Sequence, residues 1–403
     1  MKGTKLALIL AGLAALGPFS IDTYFPSFGA IADGFGVSPL QVQGTLTYYL
    51  LALAVTMLFH GALADSFGRR GVVLASLVVY TAAALGCAFA PSLGWLVAFR
   101  VLQGSAAGAG AIVGRAIIRD RFEGAEAHRL MAQVTMLFGL APAVAPVLGG
   151  FLHNAFGWRS VFVFLSVFGA GLLAACWVAL PETLPRTARA PFRPLPLTRA
   201  YAQILGSARF VALVGSLGLG FGGFLLYVAS SSDFVLNVLG LPDTAFAWLF
   251  LPIVVGLVGG SWVANLTAGR VPPDRVAAYG YLLMLVSAAF NLGYNAFFAP
   301  QVPWAVLPLV GYTLGAALQG PIVTLHALEL FPQNRGLAAS LQGFIQTLMF
   351  AGVSSLVVPL VLGSGLRRAG VLCVMLVLNY AGWRFFYRSA PSAPLPQGVS
   401  SEV

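Results

Sequence analysis

Apolar positions in this chain do not alternate with polar ones. They come in runs of roughly 20 residues, the length at which an α-helix crosses the hydrocarbon of a bilayer. Twelve runs are predicted as spans: Leu6 to Phe28, Val42 to Leu63, Gly71 to Phe89, Leu93 to Ile118, Leu130 to His153, Val161 to Leu180, Phe210 to Leu236, Ala245 to Leu266, Val276 to Phe297, Trp304 to Leu328, Leu337 to Leu362 and Gly370 to Tyr387. Inside lipid a backbone must satisfy its own hydrogen bonds, so runs this long predict an all-α membrane bundle and exclude a soluble sheet fold. An even number of spans places both termini on one face.

Composition agrees, with 59% hydrophobic residues, 8% charged residues and a mean hydropathy of +0.89. The few charges therefore carry information. Lys2, Lys5, Arg69, Arg70, Arg119, Arg121, Arg129, the linker's Arg186, Arg189, Arg193, Arg199 and Arg209, and Arg270, Arg275, Arg335, Arg384 and Arg388 fall on one face. Arg159, Arg367 and Arg368 fall on the other, so the first face is expected to be cytoplasmic. A net charge of +10 would point to nucleic acid in a soluble protein, but here it follows from topology, and no nucleic-acid partner is expected. Cys87, Cys176 and Cys373 lie singly within apolar runs and form neither a disulfide framework nor a metal-ligand spacing. Met1 to Ser20 has the outline of a signal peptide, yet the run continues through Ile21 without a polar cleavage region and reads as a retained span.

Pro181 to Arg209, rich in Pro and Arg, is the one long interior linker. It divides the chain into halves at 1–180 and 210–388, followed by a short tail, 389–403, expected to be disordered. The halves repeat weakly. Gly68-Arg69 recurs as Gly269-Arg270, Asp65 is echoed by Asn265, and Arg159 by Arg367 and Arg368. Parallel half-repeats about an axis along the membrane normal are a layout found among transporter folds, where the substrate site lies between the halves near mid-membrane.

Four motifs sharpen this reading. Gly61-Ala62-Leu63-Ala64-Asp65-Ser66-Phe67-Gly68-Arg69-Arg70 resembles the loop signature between spans two and three of the major facilitator superfamily. Asp65 ends its own helix, where the macrodipole repels an anion, and so needs a cation or another helix's N-terminus; Arg69, Arg70 and the start of span eleven are the candidates. Gly61 is expected to allow close helix approach and Gly68 a tight turn. Ile21-Asp22-Thr23-Tyr24-Phe25-Pro26 resembles the x-D-x-Y-x-P pattern of the bicyclomycin and chloramphenicol resistance branch of drug/proton antiporters, and Arg100-Val101-Leu102-Gln103-Gly104 its R-x-x-q-G motif. Asp22 and Arg100 both lie on the order of 10 Å below the same surface. An ionisable group at that depth is by default functional, although the two could instead form a purely structural pair. In span five, Pro142, Pro146 and Gly150 form one stripe, and Ala141, Ala145 and Gly149 another that would pack against a helix of the other half. The stretch resembles the antiporter signature g-P-x-x-G-G.

The resemblance implies twelve transmembrane helices in two pseudo-symmetric six-helix halves, with proton-coupled efflux of small amphipathic compounds across the cytoplasmic membrane. It gives Asp22 and Arg100 proton coupling, and gives gating to Gly61, Asp65, Gly68, Arg69, Arg70, Pro142, Pro146, Gly149 and Gly150. A drug pocket is broad, apolar and aromatic, and Tyr48, Gln103, Met136, Phe138, Tyr227, Phe250, Tyr312, Gln319, Gln346 and Phe350 are its candidates. Asp233 departs from the branch pattern, as a second coupling site or a loop-edge acid, and His60 is a packing residue or a relay. Substrate, protons and lipid are the expected partners of a monomer. No nucleotide-binding loop appears, and neither cofactor nor metal is expected. The alternatives are a metabolite exporter or symporter on the same fold, and an integral-membrane enzyme, against which stands the scatter of the four histidines.

Overall fold

A computed structural model describes residues 3–122, 124–242 and 245–388, with backbone alone at 3–5, 124, 125, 127–129, 132, 133, 135–140, 142, 143, 387 and 388. The tail from 389 lies outside the described residues.

The first half comprises α1 (Gly3–Asp22), α2 (Phe28–Phe35), α3 (Pro39–Phe67), α4 (Arg69–Ala88), α5 (Leu93–Arg121), α6 (Gly124–Phe156) and α7 (Arg159–Ala179). A linker helix, α8 (Pro194–Leu205), leads to α9 (Ala208–Ala229), α10 (Ala247–Thr267), α11 (Pro273–Phe297), α12 (Leu307–Glu329), α13 (Arg335–Gly352), α14 (Val358–Val361) and α15 (Gly365–Arg388). Ten described stretches are long and apolar enough to cross a membrane. The two other long helices join the bundle by packing, α6 on α1 and α10, and α12 between α10 and α11. Tyr312, Thr313 and Gln319 make α12 less apolar, and all three are buried within protein.

Local chemistry sets the boundaries. Ser38 caps α3 in a reciprocal box with Gln41, and Pro39 opens the helix where its missing N–H costs nothing. Gly68, at φ 95°, ends α3 and starts α4, a backbone conformation that a side chain would strain. Two predicted spans are interrupted. The first loses α geometry at Asp22, passes through a 3-10 turn at Phe25–Ser27 and resumes as α2; the eleventh passes through a π turn at Val353–Val357 before α14. The seventh ends at Ala229 and is followed by a π turn at Asp233–Val238. Such turns break the i to i−4 ladder and commonly mark functional positions.

Within the first half α3 packs on α5, α4 on α7, and α1 on α5 and α6; in the second, α9 packs on α15 and α11 on α12. The halves meet along α3 against α13 and α6 against α10. At the end of the bundle near Phe25, the Phe25 and Phe250 rings lie 6.5 Å apart, and Gln43 Nε2 donates to the Ser354 carbonyl at 2.8 Å. The linker is more ordered than its composition suggests: Tyr201 on α8 donates to the Leu58 carbonyl of α3 at 2.8 Å, and α8 also packs on α13. Burial pushes the Tyr201 phenol above its usual value and keeps it a donor.

Glycine provides the closest approaches. A Cβ at Gly104 of α5 would collide with the Tyr49 carbonyl of α3, whereas one at Gly61 would meet open space, so Gly61 is not the point of close contact that its motif suggests. Gly104→Ala is therefore expected to cost about 1–3 kcal/mol of stability. Gly61→Ala is expected to leave stability unchanged or raise it by up to about 1 kcal/mol through helix propensity. Thermal midpoints of both variants in detergent check the contrast.

Candidate functional site

The break after α1 creates the most polar interior of the first half. Asp22 is the last residue of α1 and is buried. Across from it, Arg100 on α5 has no solvent exposure. Its guanidinium lies 4.9 Å from the Tyr24 ring and 4.2 Å from the Tyr49 ring, and Nη1 donates to the Ser20 carbonyl at 3.0 Å and to Gln103 Oε1 at 2.7 Å. Nε and Nη2 of Arg100 are buried without a hydrogen-bond partner, as are Gln103 Nε2 and the Tyr49 hydroxyl. Asp22 and Arg100 form no ion pair among the described residues, although they share one region of the bundle. An arginine with two idle donors inside low dielectric attracts an anion strongly, and π faces compensate only part of its desolvation.

Ser20 ties this centre together, its Oγ donating to the Leu16 carbonyl at 2.6 Å and lying 2.5 Å from the Tyr80 hydroxyl. The Tyr24 hydroxyl pairs with Thr45 Oγ1 at 2.8 Å. Gly149 of α6 rests on the backbone carbonyl of Thr23, so its small side serves a contact within its own half, not the one across halves expected from the sequence. Ala141, Ala145, Pro146 and Gly150 are buried with it, while the Pro142 side chain lies outside the described residues.

The loop at 65–70 forms a second charged cluster. Asp65 pairs with Arg69, whose Nε also donates to Asp120 Oδ2 at 3.1 Å, and Thr183 Oγ1 donates to that same oxygen at 2.9 Å. The Arg69 backbone N–H donates to Glu182 Oε1 at 2.9 Å, and Ala190 N–H to the Asp65 carbonyl at 3.2 Å. Arg70 Nη2 donates to the Trp177 carbonyl at 2.7 Å. Of the candidate partners for Asp65, the structure selects Arg69. None of the hydrogen bonds or ion pairs described for this loop reaches the start of α13, so in this arrangement the cluster stays within the first half and the linker. Nothing in the sequence spacing of Asp65 and Asp120 shows that both carboxylates hold one guanidinium.

The sequence profile of the Major Facilitator Superfamily matches residues 9–354. The chain belongs to that superfamily. Among its relatives, the bicyclomycin resistance protein homolog of Haemophilus influenzae is 29% identical over 94% of this chain and 96% of its own length. Multidrug resistance protein D of Escherichia coli is 28% identical over 88% and 89%. An uncharacterised MFS-type transporter of Bacillus subtilis, YdgK, is 30% identical over 87% and 88%. Solved structures share the fold: a bacterial homolog of the lysosomal transporter Spinster, inward-facing and occupied, superposes with TM-score 0.75 at 17% identity over 97% of this chain and 99% of its own. A D-xylose–proton symporter does so with TM-score 0.73 at 17% over 96% and 98%.

In the second half of this superfamily member, a charge pair sits where the sequence offered only an acid. Arg368, at the start of α15, is fully buried; Nη2 pairs with Asp233 Oδ2 at 2.8 Å and Nε donates to Ser230 Oγ at 3.0 Å. The Tyr227 and Phe234 rings flank it at 5.8 and 4.8 Å. Asp233 Oδ2 also accepts the Gly363 N–H at 2.9 Å, so the acid is a structural node and not a free loop edge. In the sequence Arg368 bears on topology and echoes Arg159, and neither signal points to Asp233; Arg159 itself stacks on Trp158.

The pocket candidates divide. Gln103 belongs to the Arg100 centre. Tyr227 accepts from Asn291 Nδ2 at 2.6 Å, and Tyr312 donates to the Gly220 carbonyl at 3.1 Å, so both phenols are engaged inside the second half. Gln319 is fully buried with both amide atoms unpartnered, beside the Ser216, Tyr281 and Asn379 network. Phe250 faces Phe25 across the halves, Phe350 is buried, Gln346 is half-buried, and Tyr48 is exposed. The side chains of Met136 and Phe138 lie outside the described residues. His60 is buried with Nδ1 unpartnered.

Arg69 reaches two carboxylates with separate nitrogens of one rigid fork, a geometry that the compact ammonium of lysine does not reproduce. Arg69→Lys is expected to lose about 1–3 kcal/mol, nearly as much as Arg69→Gln. Thermal unfolding in detergent reads this, and a lysine variant as stable as wild type would mean that one contact suffices.

Proposed function

We propose that this superfamily member is a proton-coupled exporter of small amphipathic drugs or toxic compounds, working as a monomer by alternating access. The halves at 1–180 and 210–388 rock about the seam of α3 with α13 and α6 with α10, and the linker at 181–209 carries the chain between them. Supporting this reading are the names of the relatives, among them proteins called multidrug resistance and bicyclomycin resistance proteins. The observation that carries it is the buried Asp22 beside an Arg100 with idle donors.

In this mechanism Asp22 carries the exchanged proton and Arg100 sets its acidity. With Asp22 protonated, the carboxyl stays unpaired and two Arg100 nitrogens stay idle; substrate binds the other form, in which Asp22 has lost its proton. When the proton leaves, the carboxylate and guanidinium attract each other, so proton release and rearrangement around Arg100 are one event. The 65–70 loop and the α6 stripe of Pro142, Pro146, Gly149 and Gly150 govern which face is open. The aromatic and amide side chains between the halves receive the substrate.

If substrate displaces the proton from Asp22, affinity must rise with pH, by about tenfold per unit while Asp22 is protonated in the free protein, and flatten above that range. Asp22→Asn is expected to remove the slope and uphill transport while downhill movement survives. Binding measured across pH in detergent checks it; equal slopes in wild type and variant exclude Asp22 as the coupling group.

Both termini, the 65–70 loop and the linker are assigned to the cytoplasmic side of a bacterial inner membrane. A cysteine at Ser66 in a chain otherwise without cysteine is expected to resist an impermeant thiol reagent in intact cells and to react after permeabilisation. Labelling from outside reverses the orientation.

A further inference from the structure

At the membrane face where α3 and α7 end, the start of α4 and the linker enclose an open pocket of about 510 Å³. Phe67, Arg70 and Leu74 form one wall, and Glu182, Arg186 and Arg189 the other. Among the described residues that line it, three arginines face one carboxylate, and that carboxylate is heavily committed. Glu182 Oε1 accepts the N–H groups of Arg69 and Leu184, at 2.9 and 3.0 Å, and Oε2 faces Arg189 Nη2 at 3.5 Å. Arg70 has no carboxylate partner among the described residues; it leans on the Trp177 ring at 5.8 Å, and its Nε is buried without a hydrogen bond, as is Arg189 Nε. Arg186 is exposed and makes no ion pair among the described residues.

The surroundings are equally one-sided. Phe67, Trp177 and Val178 are 62%, 66% and 85% exposed, an apolar rim at the level where α7 leaves the membrane. Tryptophan favours that interfacial depth. A basic pocket bordered by exposed apolar side chains matches a molecule with an anionic head and hydrocarbon tails, and a soluble anion would leave the rim uncovered. The start of α4 already holds one anion, the Glu182 carboxylate, at its first N–H.

We propose that this pocket binds the phosphate of an anionic phospholipid from the adjoining leaflet, with Arg70, Arg186 and Arg189 on the headgroup and the acyl chains along Phe67, Leu74 and Trp177. Guanidinium forks suit phosphate oxygens, and the lipid joins the 65–70 loop to the linker through one headgroup. The inference requires only that these residues lie at the membrane surface, and is independent of the transport reading.

The test uses the full chain reconstituted in phosphatidylcholine vesicles doped with dibrominated phosphatidylglycerol or dibrominated phosphatidylcholine, reading tryptophan quenching. Trp177→Phe isolates the signal of Trp177 from the seven tryptophans. The Trp177 component is expected to quench at a lower mole fraction of the brominated phosphatidylglycerol. Arg186→Gln combined with Arg189→Gln, both in the linker and outside the spans, is expected to raise the half-quenching fraction by roughly fivefold for each arginine. Excess soluble glycerol phosphate is expected to leave the quenching unchanged. Equal quenching by both lipids in wild type, or an unaltered preference in the double variant, overturns the proposal. Displacement by glycerol phosphate also overturns it, assigning the pocket to free phosphate.

Discussion

A guanidinium with no exposure to solvent is the constraint around which the first half is arranged. Burying Arg100 costs several kcal/mol before compensation. The structure supplies two aromatic faces, one carbonyl and one amide, and leaves two nitrogens idle. Each compensating group comes from a different place: Ser20 from the end of α1, Tyr24 from the break after it, Tyr49 from α3 and Gln103 from the next turn of α5. Removing Arg100 would therefore unsettle three helices at once. Its incomplete satisfaction makes the site responsive to charge in a way that a fully paired ion would not be.

The second half handles the same problem differently. Arg368 is equally buried, but it has a carboxylate, a hydroxyl and two rings, and Asp233 in turn fixes the Gly363 backbone. The second half thus holds a formed ion pair, with only Arg368 Nη1 left unpartnered, and the first half a guanidinium with no carboxylate on it, although the two are built on related helix orders. The asymmetry favours chemistry in the first half and a fixed scaffold in the second.

Much of this was legible in the sequence, because span length, loop arginines and motif spacing are local properties. The helices and the linker position follow directly from them, and the identity of Asp22, Arg100 and the 65–70 loop follows from motifs. Partners were not legible, since they depend on which helix faces rotate together. The pairing of Arg69 with Asp120, the engagement of Arg368 with Asp233 and the contact of Gly149 with Thr23 join residues tens to more than a hundred positions apart. The helix α8 was hidden by Pro194 and Pro196 within it; Pro194 starts the helix, and burial of Tyr201 and Ile204 against neighbouring helices holds it. The two interrupted spans and the early end of the seventh were hidden too, because a continuous apolar run looks the same whether or not its hydrogen-bond ladder is unbroken.

Gly149 has a mechanical meaning beyond packing. On one side α6 touches α10 of the opposite half; on another, with no side chain between, it bears on the carbonyl of the residue next to Asp22. Backbone against backbone has no rotamer to absorb a displacement. A displacement of α6 at Gly149 therefore carries the end of α1 with it, and in the proposed mechanism this contact ties Asp22 to the relative position of the two halves as a follower is tied to a cam.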